Sequence, residues 1–199
     1  MRKIDLLGCL IGDSYISPRG VLVMRHSCKQ KEYLEFKHDF CKQLWPGRNF
    51  EIFEVKSQNA FQFGVSDASL FKNWRRFYYP NGVKTISKTW LDRLTKQAIA
   101  LWFCDDGSTS FKKKDGKITA VECSISTCCS EAEADLVIEY FNGKWNIPMS
   151  KKRDSGKFSV RFGTKVGRRF VDEFQGFIPE CMRYKTDKLI NFSGCYAGH

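Results

Sequence analysis

Apolar and polar positions along this chain set out one succession of elements and then set it out again. In the first pass an apolar run over residues 4–12 reads as a short helix. Val21–Ser27, which opens on β-branched residues, reads as a strand. Tyr33, Leu34, Phe36, Phe40, Cys41 and Leu44 fall close to a helical period across residues 32–44. Strands at residues 50–56 and Ala60–Ser66 follow, joined as a hairpin at Ser57-Gln58-Asn59. An Arg- and aromatic-rich helix over residues 70–78 stops at Pro80-Asn81-Gly82.

The second pass keeps that order, with a helix at residues 96–105, a strand at 118–127 and a helix at 130–141. Glu131 and Glu133 sit in the first turn of that last helix, where the dipole favours acids. Residues 149–153 and Lys157–Gly163 form a hairpin around Asp154-Ser155-Gly156, and an Arg-rich helix over 165–174 precedes Ile178-Pro179. The expectation is an α+β fold of two similar halves, residues 1–94 and 95–199, linked near residues 81–95.

The leading helix of each pass ends alike. Leu6-Leu7-Gly8-Cys9-Leu10-Ile11-Gly12-Asp13-Ser14 and, 93 positions on, Ile99-Ala100-Leu101-Trp102-Phe103-Cys104-Asp105-Asp106-Gly107 are apolar runs closing on an acid and a tiny residue. Gly8 and Gly12, four apart, share one helical face and let another backbone approach closely. The matching places hold Leu101 and Asp105, with Ala100 as the nearby small residue, so the expected contact is asymmetric. At a helix C-terminus the dipole disfavours a carboxylate by up to about 1 kcal/mol. Bringing Asp13 and Asp106 together adds like-charge repulsion, and a divalent cation between them reverses both penalties. Oxygen-only ligands suit Mg²⁺, which would assist hydrolysis of a phosphate backbone.

Charge supports a polyanionic partner. Against an ordinary 42% apolar and 28% charged composition, the net charge of +11 stands out. Residues 1–94 carry 16 basic and 9 acidic side chains (+7), and residues 95–199 carry 17 and 13 (+4), so both halves are positive. That is the distribution for gripping one extended polyanion, with solubility alone as the competing account. Nine cysteines show no paired CxxC spacing. His38 and Cys41, with His26 and Cys28 before them, leave zinc open, but free thiols in a reducing compartment are the better account. The chain shows no signal peptide and no apolar run long enough to span a membrane. The first motif begins five residues after the Met, leaving no room for a presequence, so an organellar protein of this kind would be made inside the mitochondrion or chloroplast.

The two segments resemble the paired LAGLIDADG motifs of single-chain homing endonucleases, and within that family the type encoded by yeast mitochondrial group I introns. The likeness is carried by Gly12-Asp13-Ser14-Tyr15-Ile16, by Trp102-Phe103-Cys104-Asp105-Asp106-Gly107, and by Lys29-x-Lys31-x-Tyr33. Lys84-Thr85-Ile86, and Ile178-Pro179 followed by Tyr184-Lys185, extend it in order over essentially the whole chain. Ser14 stands where the family name has Gly, and Leu101 where the helix interface often has Gly. The resemblance implies two αββαββα-type halves whose antiparallel sheets form a saddle over DNA. It implies Asp13 and Asp106 as catalytic, metal-binding acids, Gly12 and Asp105 as further ligands, and Lys84 and Lys185 as active-site lysines. It also implies a monomer using Mg²⁺, with Mn²⁺ substituting and Ca²⁺ binding without cleavage. Its activity would be double-strand cutting across the minor groove, leaving short 3′ overhangs, in intron or intein mobility. An RNA-binding maturase acting on its own intron RNA is the competing function on the same scaffold, and a DNA-binding relative without activity is a third.

Strand alternation supplies candidate DNA contacts. Lys157, Ser159 and Arg161 oppose Phe158, Val160 and Phe162, while Gln62, Gly64 and Ser66 oppose Phe61, Phe63 and Val65. Arg25, Ser27, Glu122, Ser124 and Ser126 join them, as do Lys29 and Lys31 from the matched motif. Arg and Gln pair bidentately with G and A edges. Phosphate contacts are expected from mobile turns holding Lys151, Lys152 and Arg153, and from Lys112-Lys113-Lys114, which reads equally as a loose loop tip.

Overall fold

A computed structural model describes residues 2–154 and 156–193. Two four-stranded antiparallel sheets of the same order organise it. The first is β1-β2-β4-β3, from Tyr15–Ile16 (β1), Val21–Ser27 (β2), Phe53–Val55 (β3) and Ala60–Ser66 (β4). The second is β5-β6-β8-β7, from Gly107–Lys114 (β5), Lys117–Cys129 (β6), Ser150–Asp154 (β7) and Lys157–Gly163 (β8). The helices are Leu6–Ile11 (α1), Lys31–Leu44 (α2), Ala68–Tyr78 (α3), Lys88–Asp92 (α4), Lys96–Asp106 (α5), Glu131–Trp145 (α6), Thr164–Phe174 (α7) and Tyr184–Ile190 (α8). The succession α-β-β-α-β-β-α therefore occurs twice, in the α+β class.

Several elements differ from the sequence expectation. The αββαββα succession implied by the resemblance includes β1 and β5, but the residue pattern alone locates neither: one is two residues long, and the other is a Ser- and Lys-rich run of low strand propensity. β5 forms because it pairs with β6 along its length, and this corrects the loop-tip expectation for Lys112, Lys113 and Lys114. The turn lies beyond them at Asp115 and Gly116, both with positive φ. β3 is only three residues, and upstream of it Phe50 packs edge-on against His38. The expected linker contains α4, whose N-cap Ser87 accepts from the Trp90 N–H and which buries Trp90 and Leu91. α8 follows the last expected helix and buries Thr186 and Leu189. Ser155, in the expected β7–β8 turn, lies outside the described residues.

Every residue of α1 is buried, as is α5 from Ala98 to Cys104, which is why neither run shows an amphipathic period. The two helices pack against each other. A Cβ on Gly8 would collide with the Ala98 carbonyl, so Ala98 rather than Ala100 is the small partner. A Cβ on Gly12 would lie 2.5 Å from the Cβ and a carboxylate oxygen of Asp105. Backbones this close bring the two helix ends to one place. No helix among the described residues is long and apolar enough to cross a membrane.

Candidate active site

The last turns of α1 and α5 leave carbonyls without helical partners. A lysine ammonium caps each. Lys84 Nζ donates to the carbonyls of Gly12 (2.7 Å), Leu10 and Ile11 (both 3.0 Å) and Ser14 (3.4 Å). Lys185 Nζ donates to the carbonyls of Cys104 (2.5 Å) and Asp105 (3.1 Å). An ammonium has donors only, and its charge complements the negative helix end. Burial lowers the pKa of both lysines, while the nearby acids pull the other way.

Three carboxylates follow these caps, in three different settings. Asp13, just past α1, keeps 45% of its side-chain surface exposed. Asp106, the last residue of α5, is half-buried and accepts from Trp102 Nε1 at 3.0 Å. Burial first, then the charges of Asp105 and Asp13, push its pKa up to about 7. Asp13 and Asp106 line one cleft of about 410 Å³, together with Gly12, Lys84 and Ser126. The Asp105 side chain is wholly buried and turns away, its Oδ1 accepting from Lys37 Nζ at 2.6 Å and its Oδ2 from the Asp13 backbone N–H at 3.2 Å.

Lys37 and His26 are site neighbours that the sequence reading missed. Lys37 is fully buried on the inner face of α2, and its Nζ lies 2.9 Å from His26 Nε2. Burial pulls its pKa down, but Asp105 outweighs this and holds it above the ordinary lysine value. His26 is pushed down to about 3 by burial and then by Lys37, so the imidazole is neutral and its 3.8 Å approach to Asp13 is not an ion pair. The available signal was a lysine on the apolar stripe of α2, one turn from Tyr33 and from Cys41. Asp13, His26 and Asp105 each bring a ligand atom within 4.8 Å of the others. The alternative zinc arrangement does not form among the described residues: His38 Nε2 is 2.9 Å from the Phe50 carbonyl, and the buried Cys41 thiol is raised in pKa.

Cross-strand partners share a sheet face, so register places the candidate DNA contacts. On the first sheet Arg25 faces Gln62, which faces Phe53, and Tyr15 faces Val23. Arg25 Nε donates to Gln62 Oε1 at 2.7 Å, and its remaining nitrogens reach Gln62 and Gln58. Ser66 pairs with Val21, Ser27 is exposed, and Lys31 pairs with Glu35 at 3.2 Å next to the half-turn holding Lys29. On the second sheet Ser108, Ser124, Arg161 and Ser150 form one row, and Ser159 lies opposite Lys152. Glu122 accepts from Lys112 (2.8 Å) and Arg161 (3.5 Å), while Lys157 is exposed opposite Asp154. Lys151 does not share that face. It pairs opposite the buried Val160 and turns to the helix side, 2.9 Å from both Glu131 and Asp135. Arg153, opposite Phe158, sits on the same side as Lys151. Tyr15, Phe53, Ser108 and Ser110 are outer-face positions the sequence reading missed, because it read no strands at β1 and β5 and did not fix the register of β3.

The chain matches the family model described as LAGLIDADG DNA endonuclease family over residues 5–170. Among solved structures it is similar to the homing endonuclease I-WcaI bound to its DNA recognition sequence, with TM-score 0.73 and 21% identity, covering 92% of this chain and 84% of that one. It is also similar to the meganuclease I-SmaMI bound to uncleaveable DNA, with TM-score 0.60, 11% identity and coverage of 91% and 85%. At these identities the likeness is one of fold. Among curated proteins it is 25% identical over 194 residues to Protein RecA of Mycolicibacterium chitae, covering 90% of this chain and 45% of that protein. It is 31% identical over 194 residues to Protein RecA of Mycobacterium leprae (strain TN), covering 90% and 27%. The chain thus spans less than half the length of these curated relatives.

Proposed function

This chain belongs to the LAGLIDADG DNA endonuclease family, and from that membership we propose that it is a site-specific double-strand DNA endonuclease working with a divalent cation at the Asp13–Asp106 cleft. One observation carries the reading: two acids from equivalent helix ends line a single cleft, each helix end capped by a lysine. Their donor set fits Mg²⁺, because both are hard carboxylate oxygens. Burial, and then the charges of Asp105 and Asp13, push Asp106 toward protonation, which a cation would relieve. Asp13 and Asp106 would hold the ion, which when bound supplies Lewis-acid polarisation of the scissile phosphate. Mn²⁺ would substitute, and Ca²⁺ would bind without supporting cleavage.

The remaining work falls to the chain's own groups. Lys84 and Lys185 fix positive charge at the helix ends, beside the place where a phosphate would develop negative charge. The Gly12 and Asp105 carbonyls already accept from these lysines, so their first duty is to hold the ammonium groups in place. Arg25 with Gln62, and Arg161 with Glu122, present hydrogen-bonding edges for base readout on the outer sheet faces. Both motif copies lie in one chain, which supports action as a monomer. The likeness to part of the RecA proteins supports a mobile-element endonuclease carried within a host gene, whether by intron or intein.

The test is incubation with a plasmid library of candidate targets, with Mg²⁺ or with chelator. Linear product only with Mg²⁺ is the expected result. Tight binding of an intron RNA without any cutting would instead establish the maturase function.

A further inference from the structure

We propose that Lys37 is a positioning residue of this site, an internal cation that withdraws Asp105 from the ligand set and brackets Asp13 from two directions. The proposal rests on the endonuclease reading for its consequence and on geometry for its content. Lys37 Nζ lies 2.6 Å from Asp105 Oδ1, 2.9 Å from His26 Nε2 and 4.5 Å from the centre of the Tyr33 ring. An ammonium cannot accept a hydrogen bond, so His26 Nε2 must be the acceptor and the neutral ring carries its proton on Nδ1. Nδ1 faces Asp13 Oδ2 at 3.8 Å, longer than a hydrogen bond, so this arm turns the ring edge toward the acid without bonding it. That is the first arm.

The second arm runs through the other partner. Asp105, fixed by Lys37 through Oδ1, accepts the Asp13 backbone N–H on Oδ2. Both arms start from one nitrogen on α2 and converge on the acid after α1, crossing from β2 on one side and α5 on the other. Gly12 makes this possible, since a side chain there would displace the Asp105 carboxylate. A buried ion pair is weak evidence of stabilisation in itself, so a positioning duty is the better account of this one. Among the described residues Asp106 has no such bracket, and its carboxylate accepts from Trp102 instead.

The test uses the full chain labelled with ¹⁵N in histidine, with His26 assigned by His26→Gln. The expected result is an Nδ1-protonated His26, with the population lost in Lys37→Met and restored in Lys37→Arg. An Nε2-protonated His26 in the native chain overturns the proposal whatever the activity. In parallel, Mn²⁺ affinity is read by EPR and single-turnover cleavage is read on a selected target plasmid. Lys37→Met should lower double-strand cleavage at least tenfold and move Mn²⁺ affinity at least tenfold away from native, with DNA affinity within twofold of native. Should that variant fail to fold, Lys37→Met with Asp105→Leu removes both buried charges and should still show the loss. Native Mn²⁺ affinity in a folded variant overturns the proposal. Absence of any cutting by the native chain defeats the endonuclease reading instead, and the histidine tautomer and Mn²⁺ affinity still decide the role of Lys37.

Discussion

The end of α1 and the end of α5 occupy matching places in the two repeats, yet their acids live in opposite surroundings. Asp13 is exposed and bracketed through His26 and Asp105, whereas Asp106 is half-buried, tied to Trp102 and pushed toward neutrality. What the two ends share is the lysine cap on the helix carbonyls. Repetition has therefore kept the backbone frame and the cap, while the support behind each acid has diverged. The site is symmetric in its acids and asymmetric in how they are held.

The largest expected effect treats the acids as equals. Asp13→Asn and Asp106→Asn should each reduce double-strand cleavage to background in a plasmid assay while DNA binding survives in a gel-shift assay. Full cutting by either variant would remove that acid from the account.

The next effect separates them by pH. The folded Asp106 carboxyl binds its proton up to about pH 7, whereas the unfolded one releases it near 3.8. Between those values the folded state holds a proton that the unfolded state has lost, so raising the pH destabilises the metal-free protein. The upper bound is about 4 kcal/mol, reached above pH 7. Urea unfolding from pH 5 to 8 should show the part of this loss above pH 5, at most about 3 kcal/mol, Asp106→Asn should flatten it, and Mg²⁺ should stabilise more at pH 8 than at pH 6. A pH-independent native stability would contradict a raised Asp106 carboxyl.

Removing the caps should cost less. Lys84→Ala orphans more helix-end carbonyls than Lys185→Ala, so its loss should be the larger, each within about 1–3 kcal/mol by thermal unfolding. Equal or negligible losses would reduce the lysines to surface charge. The smallest effect compares neighbours on β7. Lys152→Ala should lower the salt dependence of DNA binding by roughly one phosphate's worth, a slope change of about 0.9, while Lys151→Ala should leave it unchanged.

That neighbour pair shows where sequence reading stops. The strand β8 was legible because its sequence alternates over Lys157–Gly163, β4 because it alternates from Phe61 on, and β2 because it opens on a β-branched, apolar run. Which face Lys151 takes depends on register with β8, and one residue's step moves a side chain across the sheet. β5 was illegible for a related reason: its Ser and Lys residues carry no apolar period, and only pairing with β6 makes it a strand. Asp13 and Asp106 were legible as places because the duplicated motif marks one acid in each half, whereas Lys84 and Lys185 came only with the family resemblance. Lys37 was not, since its partner Asp105 stands 68 residues away and has no counterpart in the first motif.

The central claim is that a divalent cation is gathered by Asp13 and Asp106 while Lys37 keeps Asp105 occupied. A crystal structure of the protein with target DNA and Ca²⁺ tests it most directly. The expected result is an ion in contact with both the Asp13 and Asp106 carboxylates, with the Lys37–Asp105 pair intact. An ion seated on His26 and Asp105, out of reach of Asp106, would contradict it.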